Sequence, residues 1–130
     1  NTFSGLISIE EGMKKKISLK AAISKKAINI SLLDLRGFSN FTDYFLIMSG
    51  NSDRHTQAIA QEILTKMKEH GYSPIGVEGF NQGHWILLDY GDLVIHIFFE
   101  PIRAYYDLEG LWIEVPRIDW QKLYSLKGED

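Results

Sequence analysis

"EGFNQGHWILLDYGDLVIHIFFEP", residues 78–101, carries the reading of the fold. Two apolar runs, HWILLDY and LVIHIFF, flank Gly91 and Asp92, a pair suited to closing a tight hairpin. Successive side chains of a strand point to opposite faces. Trp85, Leu87 and Asp89 therefore share one face of the first strand, and Ile86, Leu88 and Tyr90 share the other. On the second strand Val94, His96 and Phe98 oppose Leu93, Ile95, Ile97 and Phe99. The hydrocarbon set belongs in a core, so the His96 set is expected to look away from the covering helices. If pairing brings Trp85 onto that same face, the sheet presents an aromatic, partly polar surface.

Working outward, INISLLDL and DYFLIMSG read as two neighbouring strands joined by RGFSNFT, whose Gly37, Ser39 and Asn40 are turn formers. Gly50, Asn51 and Ser52 then open a helix in which Ala58, Ile59, Ile63 and Met67 recur at helical spacing, with His70 and Gly71 as its stop. SPIGVEG is a short strand with Pro74 near its start, where a missing amide donor is tolerated. Pro101 suits the first turn of a further helix, striped by Ile102, Tyr105, Tyr106, Leu108, Leu111 and Trp112. Pro116 ends that region, and IDWQKLYSLKGED is a tail that forms a short helix or frays. At the other end, Ser8 with Glu11 resembles a capping box, which makes Ile9, Met13 and Ile17 one face of a helix running to about Ala27. Met13 as the native start is the alternative. Alternating strands and helices imply an α/β architecture, a mixed sheet of about five strands flanked by helices.

At 130 residues the chain fits one domain with a core of its own. No apolar run approaches the roughly 20 residues that span a bilayer, which argues against a membrane protein. The absence of cysteine removes disulfides, a thiolate nucleophile and Cys-based zinc sites. It suits a reducing compartment, and the expected location is the cytoplasm. The net charge of -3 hides an asymmetry. Lys14, Lys15, Lys16, Lys20, Lys25 and Lys26 crowd the N-terminal segment, while from Asp34 to Glu109 only Arg36, Arg54, Lys66, Lys68 and Arg103 are cationic. Nucleic-acid affinity comes from cations that displace counterions, so this acidic body fits a basic protein better. The N-terminal lysines read as a solvated face, with a minor contact to RNA as the alternative.

SGNSDRH offers a glycine-bearing turn before a helix, the setting of many phosphate sites. Neither GxxxxGK[ST] nor GxGxxG is present, and capping by Asn51 or Ser52 with Asp53 at the dipole explains the residues more simply. Asp89 and Asp92 are the candidate carboxylates for a magnesium site of nucleotidyltransferase type. The reading is weak, because Asp92 sits in a hairpin turn where Asp serves geometry. His55, His70, His84 and His96 show no metal-ligand spacing. His96 interrupts a strand of Ile, Val and Phe, so its ring must find a partner such as Asp89 or Glu78, or face an interface. No GxSxG elbow exists, and an ordinary hydrolase is not expected.

The blocks DLRGFSNFTDYFLIMSGNSDRHTQAIA, EG, WILLDYGDLVIHIF and RAYYDLEGLW, with KKAINISLLDL before them, strongly resemble the ribosomal silencing factor family, also called RsfS or Iojap. The resemblance covers about Lys25 to Trp112, leaving 1–24 as an extension with the start of the first helix and 113–130 as a tail. It implies a nucleotidyltransferase-like fold without transferase chemistry or cofactor. It also implies a protein that binds the large ribosomal subunit through ribosomal protein L-fourteen and sterically blocks joining of the small subunit. The expected partner-binding residues are Trp85, Leu87, Asp89, Tyr90, Val94, His96 and Phe98. Tyr105, Leu108, Glu109 and Trp112 are expected mostly as scaffold against the sheet. A face built for one protein can pair with itself, so a homodimer stays open.

Overall fold

The computed structural model describes the backbone of residues 2–126 and the side chains of residues 12–124. Helix α1 (Thr2–Ser24) leads into strands β1 (Ile28–Asp34) and β2 (Tyr44–Gly50), helix α2 (Asp53–Glu69), and strands β3 (Gly76–Glu78), β4 (Trp85–Asp89) and β5 (Leu93–Phe99). Helices α3 (Glu100–Tyr106) and α4 (Leu108–Leu111), strand β6 (Arg117–Ile118) and helix α5 (Trp120–Leu126) follow. The strands form one mixed sheet in the order β3-β4-β5-β2-β1-β6, six rather than about five. Only β2 and β5 run parallel. The sixth strand is the short segment after Pro116, which pairs with Leu32 and Leu33 of β1.

One face of the sheet is closed by α1 and α2. Helix α2 starts where the Ser52 hydroxyl accepts the His55 amide at 3.0 Å, and it buries Thr56, Ile59, Ala60, Ile63 and Met67. Ala58, expected on that stripe, faces solvent, and Ala60 takes its place. These side chains meet Leu32, Leu46, Met48, Ile86, Leu88, Ile95 and Ile97 of the sheet and Ile17, Leu19, Ala21 and Ala22 of α1. Helix α1 begins at Thr2, so Ser8 lies within it rather than capping it, and it stops at Ser24 rather than near Ala27. Ile17 is buried but Met13 is exposed, while the side chain of Ile9 lies outside the described residues.

Two lysines expected on a solvated face instead anchor α1. Lys14 donates to the Asp92 carboxylate at 2.9 Å and to the Tyr90 carbonyl, and the Lys15 ammonium sits 3.5 Å from the centre of the Tyr44 ring. The long aliphatic stems make this possible, since they pack while the charged heads find partners.

The opposite face is covered over part of its width. The apolar stripe after Pro101 does not form one helix: Asp107 takes left-handed torsions (φ 48°, ψ 51°) and breaks it into α3 and α4. Ile102, Leu108, Trp112 and Val115 then pack over Leu33, Leu35, Ile47 and Phe98. Tyr105, Tyr106 and Leu111 turn outward, against the expectation for Tyr105 as scaffold. Arg103 is pinned beneath these helices. It grips both Glu109 carboxylate oxygens at 2.9 Å, donates to Ser49 Oγ at 2.9 Å, and reaches the Asn29 carbonyl. This grip holds the Glu109 carboxyl below its ordinary range.

Candidate functional site

Pairing of the hairpin strands puts Trp85 opposite Phe98, Leu87 opposite His96 and Asp89 opposite Val94. Directly opposed side chains share a face, so all six stand on the side away from α1 and α2. Strand β2 adds Phe45 beside Val94, Ile47 beside His96 and Ser49 beside Phe98, and β3 adds Glu78 beside Leu87. Within this group the helices α3 and α4 seal Ile47 and Phe98, leaving Trp85, Leu87, Asp89, Val94 and Phe45 half-buried. The result is a bare apolar half-face. Among the described residues, the charged groups on its β3-β4-β5 side are Asp89 and Glu78, both negative, while Arg117 continues the same row at the far edge beyond Leu33 and pairs with Glu109.

Gly79 helps set the edge of this face. It adopts φ +77°, and a Cβ there would run into the Trp85 carbonyl oxygen, so a larger residue would push β4 aside. At the hairpin end the Asp89 carboxylate accepts the Gly91 amide at 2.8 Å, while the Tyr90 amide donates to the Leu93 carbonyl. Asp89 thus fixes its own turn while remaining on the open face.

The expected site residues divide three ways. Trp85, Leu87, Asp89 and Val94 come together on the open part of the face. His96 and Phe98 belong to the same face but lie beneath it, at 3% and 0% exposure. Tyr90 lies on the other side, packed in the α1/α2 core. Burial pushes its phenol up to about 12, and its hydroxyl has no hydrogen-bond partner among the described residues. Residues that the sequence reading left out of the face frame it. Tyr106 lies 5.0 Å from Trp85 between ring centres, Tyr105 lies 5.2 Å from Tyr106, and Trp112 meets the edge of Phe45 at 6.0 Å. Tyr105 is 80% exposed and Leu111 77%. The signal was the aromatic pair Tyr105-Tyr106 itself, masked by the assumption of one unbroken helix.

His96 bonds neither Asp89 nor Glu78. Its Nδ1 accepts the Trp85 indole N–H at 3.0 Å, and the Phe45 edge meets its ring at 4.5 Å. Accepting at Nδ1 places the proton of the neutral ring on Nε2, which is buried without a partner among the described residues. Burial pulls the imidazole down from 6.5 to about 4. The unfolded chain takes up a proton near the ordinary value and the folded one does not. Stability from a neutral His96 is therefore full above pH 6.5 and declines as pH falls toward 4. Urea midpoints followed by circular dichroism should drop between pH 7 and pH 4.5, and drop less in His96→Phe; equal drops would assign the loss to other groups.

The remaining candidates for chemistry are committed elsewhere. Asp92 pairs with Lys14, and the His84 imidazole meets Asp53 at 2.9 Å. His55 accepts the Asn51 amide and bonds the Lys25 carbonyl, and His70 caps the end of α2 against the Lys66 carbonyl. The turn before α2 thus commits its Asn51, His55 and Thr56 amides to capping. No cluster of three or more His, Asp or Glu suited to a metal occurs among the described residues, and no described helix is long and apolar enough to cross a membrane.

A family model described as "Ribosomal silencing factor during starvation" matches residues 8–130. The ribosomal silencing factor RsfS of Bacillus subtilis (strain 168) is 45% identical over 104 residues, covering 80% of this chain and 88% of the relative. A crystal structure from Chromobacterium violaceum superposes with TM-score 0.75 at 33% identity, over 77% of this chain and 83% of that one. Another from Bacillus halodurans gives TM-score 0.71 at 40% identity, over 79% and 93%.

Proposed function

This chain belongs to the ribosomal silencing factor family, and from that premise we propose that it binds the large ribosomal subunit through ribosomal protein L-fourteen and blocks joining of the small subunit by its bulk. The observation that carries the reading is the half-face of Trp85, Leu87, Val94 and Phe45, apolar in the middle and negative at Asp89 and Glu78. An aromatic centre with polar residues at its margin is the make-up of a protein interface. The sign of the charge favours a basic partner, as ribosomal proteins typically are. No turnover, metal or cofactor is needed, since occupancy alone prevents a second body from approaching. The protein works where the ribosomes are, which we take to be the cytoplasm.

Two other readings have less support. A magnesium-dependent transferase would need Asp89 and Asp92 free to share a cation, and both already hold neighbours in place. A contact of the N-terminal lysines with ribosomal RNA loses Lys14 and Lys15 to internal partners, leaving Lys16, Lys20, Lys25 and Lys26 of that set. Self-pairing through the same face would compete with docking.

Asp89→Asn tests the charge without removing the acceptor that the Gly91 amide uses. Combined with Glu78→Gln, it should slow association with purified large subunits by about two- to fivefold at low salt and flatten the salt dependence. Stopped-flow binding measures this directly. Association unchanged at every salt concentration would place the ribosomal contact on another surface.

A further inference from the structure

We infer that His96 is a positioning residue for the docking face: its Nδ1 holds the Trp85 indole in one orientation, so that the face is ordered before a partner arrives. The inference rests on the docking reading above and adds to it the device that pre-sets the central anchor. Trp85 is half-buried and rests on three rings. It stacks on Phe98 at 4.8 Å with 29° between planes, lies tilted against Tyr106, and sends its only polar atom to His96. Stacking fixes the plane of an indole but leaves it free to slide or flip within that plane. The directed N–H···N bond removes that freedom. A contact made by an anchor already in place avoids the ordering cost that a mobile side chain pays on binding.

The chemistry at position 96 supports a role other than packing. Cross-strand from Leu87 and edged by Phe45, the ring sits among apolar groups, and its Nε2 proton has no acceptor among the described residues. An unsatisfied buried donor costs stability, and phenylalanine would fill nearly the same volume without one. Phenylalanine would, however, leave the half-buried Trp85 indole N–H without its acceptor, so one orphaned donor is exchanged for another and folding alone does not call for His; only a side chain with an acceptor at the Nδ1 position can hold the indole. Asparagine carries such an acceptor and fills the space less well.

The two substitutions should consequently separate stability from binding. His96→Phe is expected to melt near the native temperature, yet to bind purified large ribosomal subunits roughly three- to tenfold more weakly. His96→Asn should melt lower and bind more tightly than His96→Phe. With 5-fluorotryptophan incorporated, the Trp85 resonance, assigned by its loss in Trp85→Phe, should be single and narrow in the native chain and in His96→Asn. In His96→Phe it should shift and broaden or split. Affinity that simply follows melting temperature, with no advantage for Asn over Phe, would overturn the inference. So would an unaltered Trp85 resonance and native affinity in His96→Phe. Failure of the docking reading looks different: a folded Trp85→Ala chain would then bind subunits as the native one does.

Discussion

Arg103→Ala is expected to remove roughly 3–5 kcal/mol of folding stability, the cost of breaking a buried ion pair by deleting one partner. Arg103 is 8% exposed, and its guanidinium serves Glu109, Ser49 and the Asn29 carbonyl together. Without it the Glu109 carboxylate keeps, among the described residues, the 3.4 Å contact with Arg117 and its bond from Ser31. Against a total stability of about 5–15 kcal/mol, a loss of this size leaves a chain on the edge of unfolding. Urea titrations give the number. Arg103→Met combined with Glu109→Leu should lose less than the sum of the single changes, because the second removes the stranded charge. A loss below about 1 kcal/mol in Arg103→Ala would mean that apolar packing alone holds α3 and α4 to the sheet. The consequence reaches the docking face, since these helices carry Tyr105, Tyr106 and Trp112, which frame it.

Trp85→Ala should weaken binding to purified large subunits by about thirtyfold or more, corresponding to 2 kcal/mol or more for truncating a central aromatic anchor. Trp85 is part scaffold as well as part surface, because it stacks on Phe98 and bonds His96. Melting temperature must therefore be measured alongside, and Trp85→Phe, which preserves the stack, should fall between the native chain and the Ala variant. Native affinity in a folded Trp85→Ala chain would remove the indole from the contact.

Much of the architecture was legible in the residues. Strict alternation over Trp85–Asp89 and Leu93–Phe99 gave the two faces of the hairpin, and the observed register joins Trp85, Leu87 and Asp89 to Val94, His96 and Phe98 as alternation allows. The same alternation puts Tyr90 with Ile86 and Leu88, and the core is where it lies. What escaped the reading is long-range. A two-residue strand such as β6 has no periodicity to detect, and only its pairing with Leu32 and Leu33 defines it. A left-handed Asp107 cannot be told from a helical one by composition, yet it decides that Tyr105 faces water and Leu108 the sheet. The buried Arg103 was counted as one cation among five; its role needs Ser49 and Asn29, more than fifty positions away. His96 was recognised as out of place in its strand, but its partner proved to be an indole rather than a carboxylate.

Subunit joining tests the central claim most directly. Purified small and large ribosomal subunits are mixed at a magnesium concentration that favours association, with and without a molar excess of this protein, and resolved by sedimentation. The account predicts that the two subunit peaks persist, that the protein travels with the large one, and that Trp85→Ala restores the joined particle. Complete joining while the protein still rides on the large subunit would contradict it.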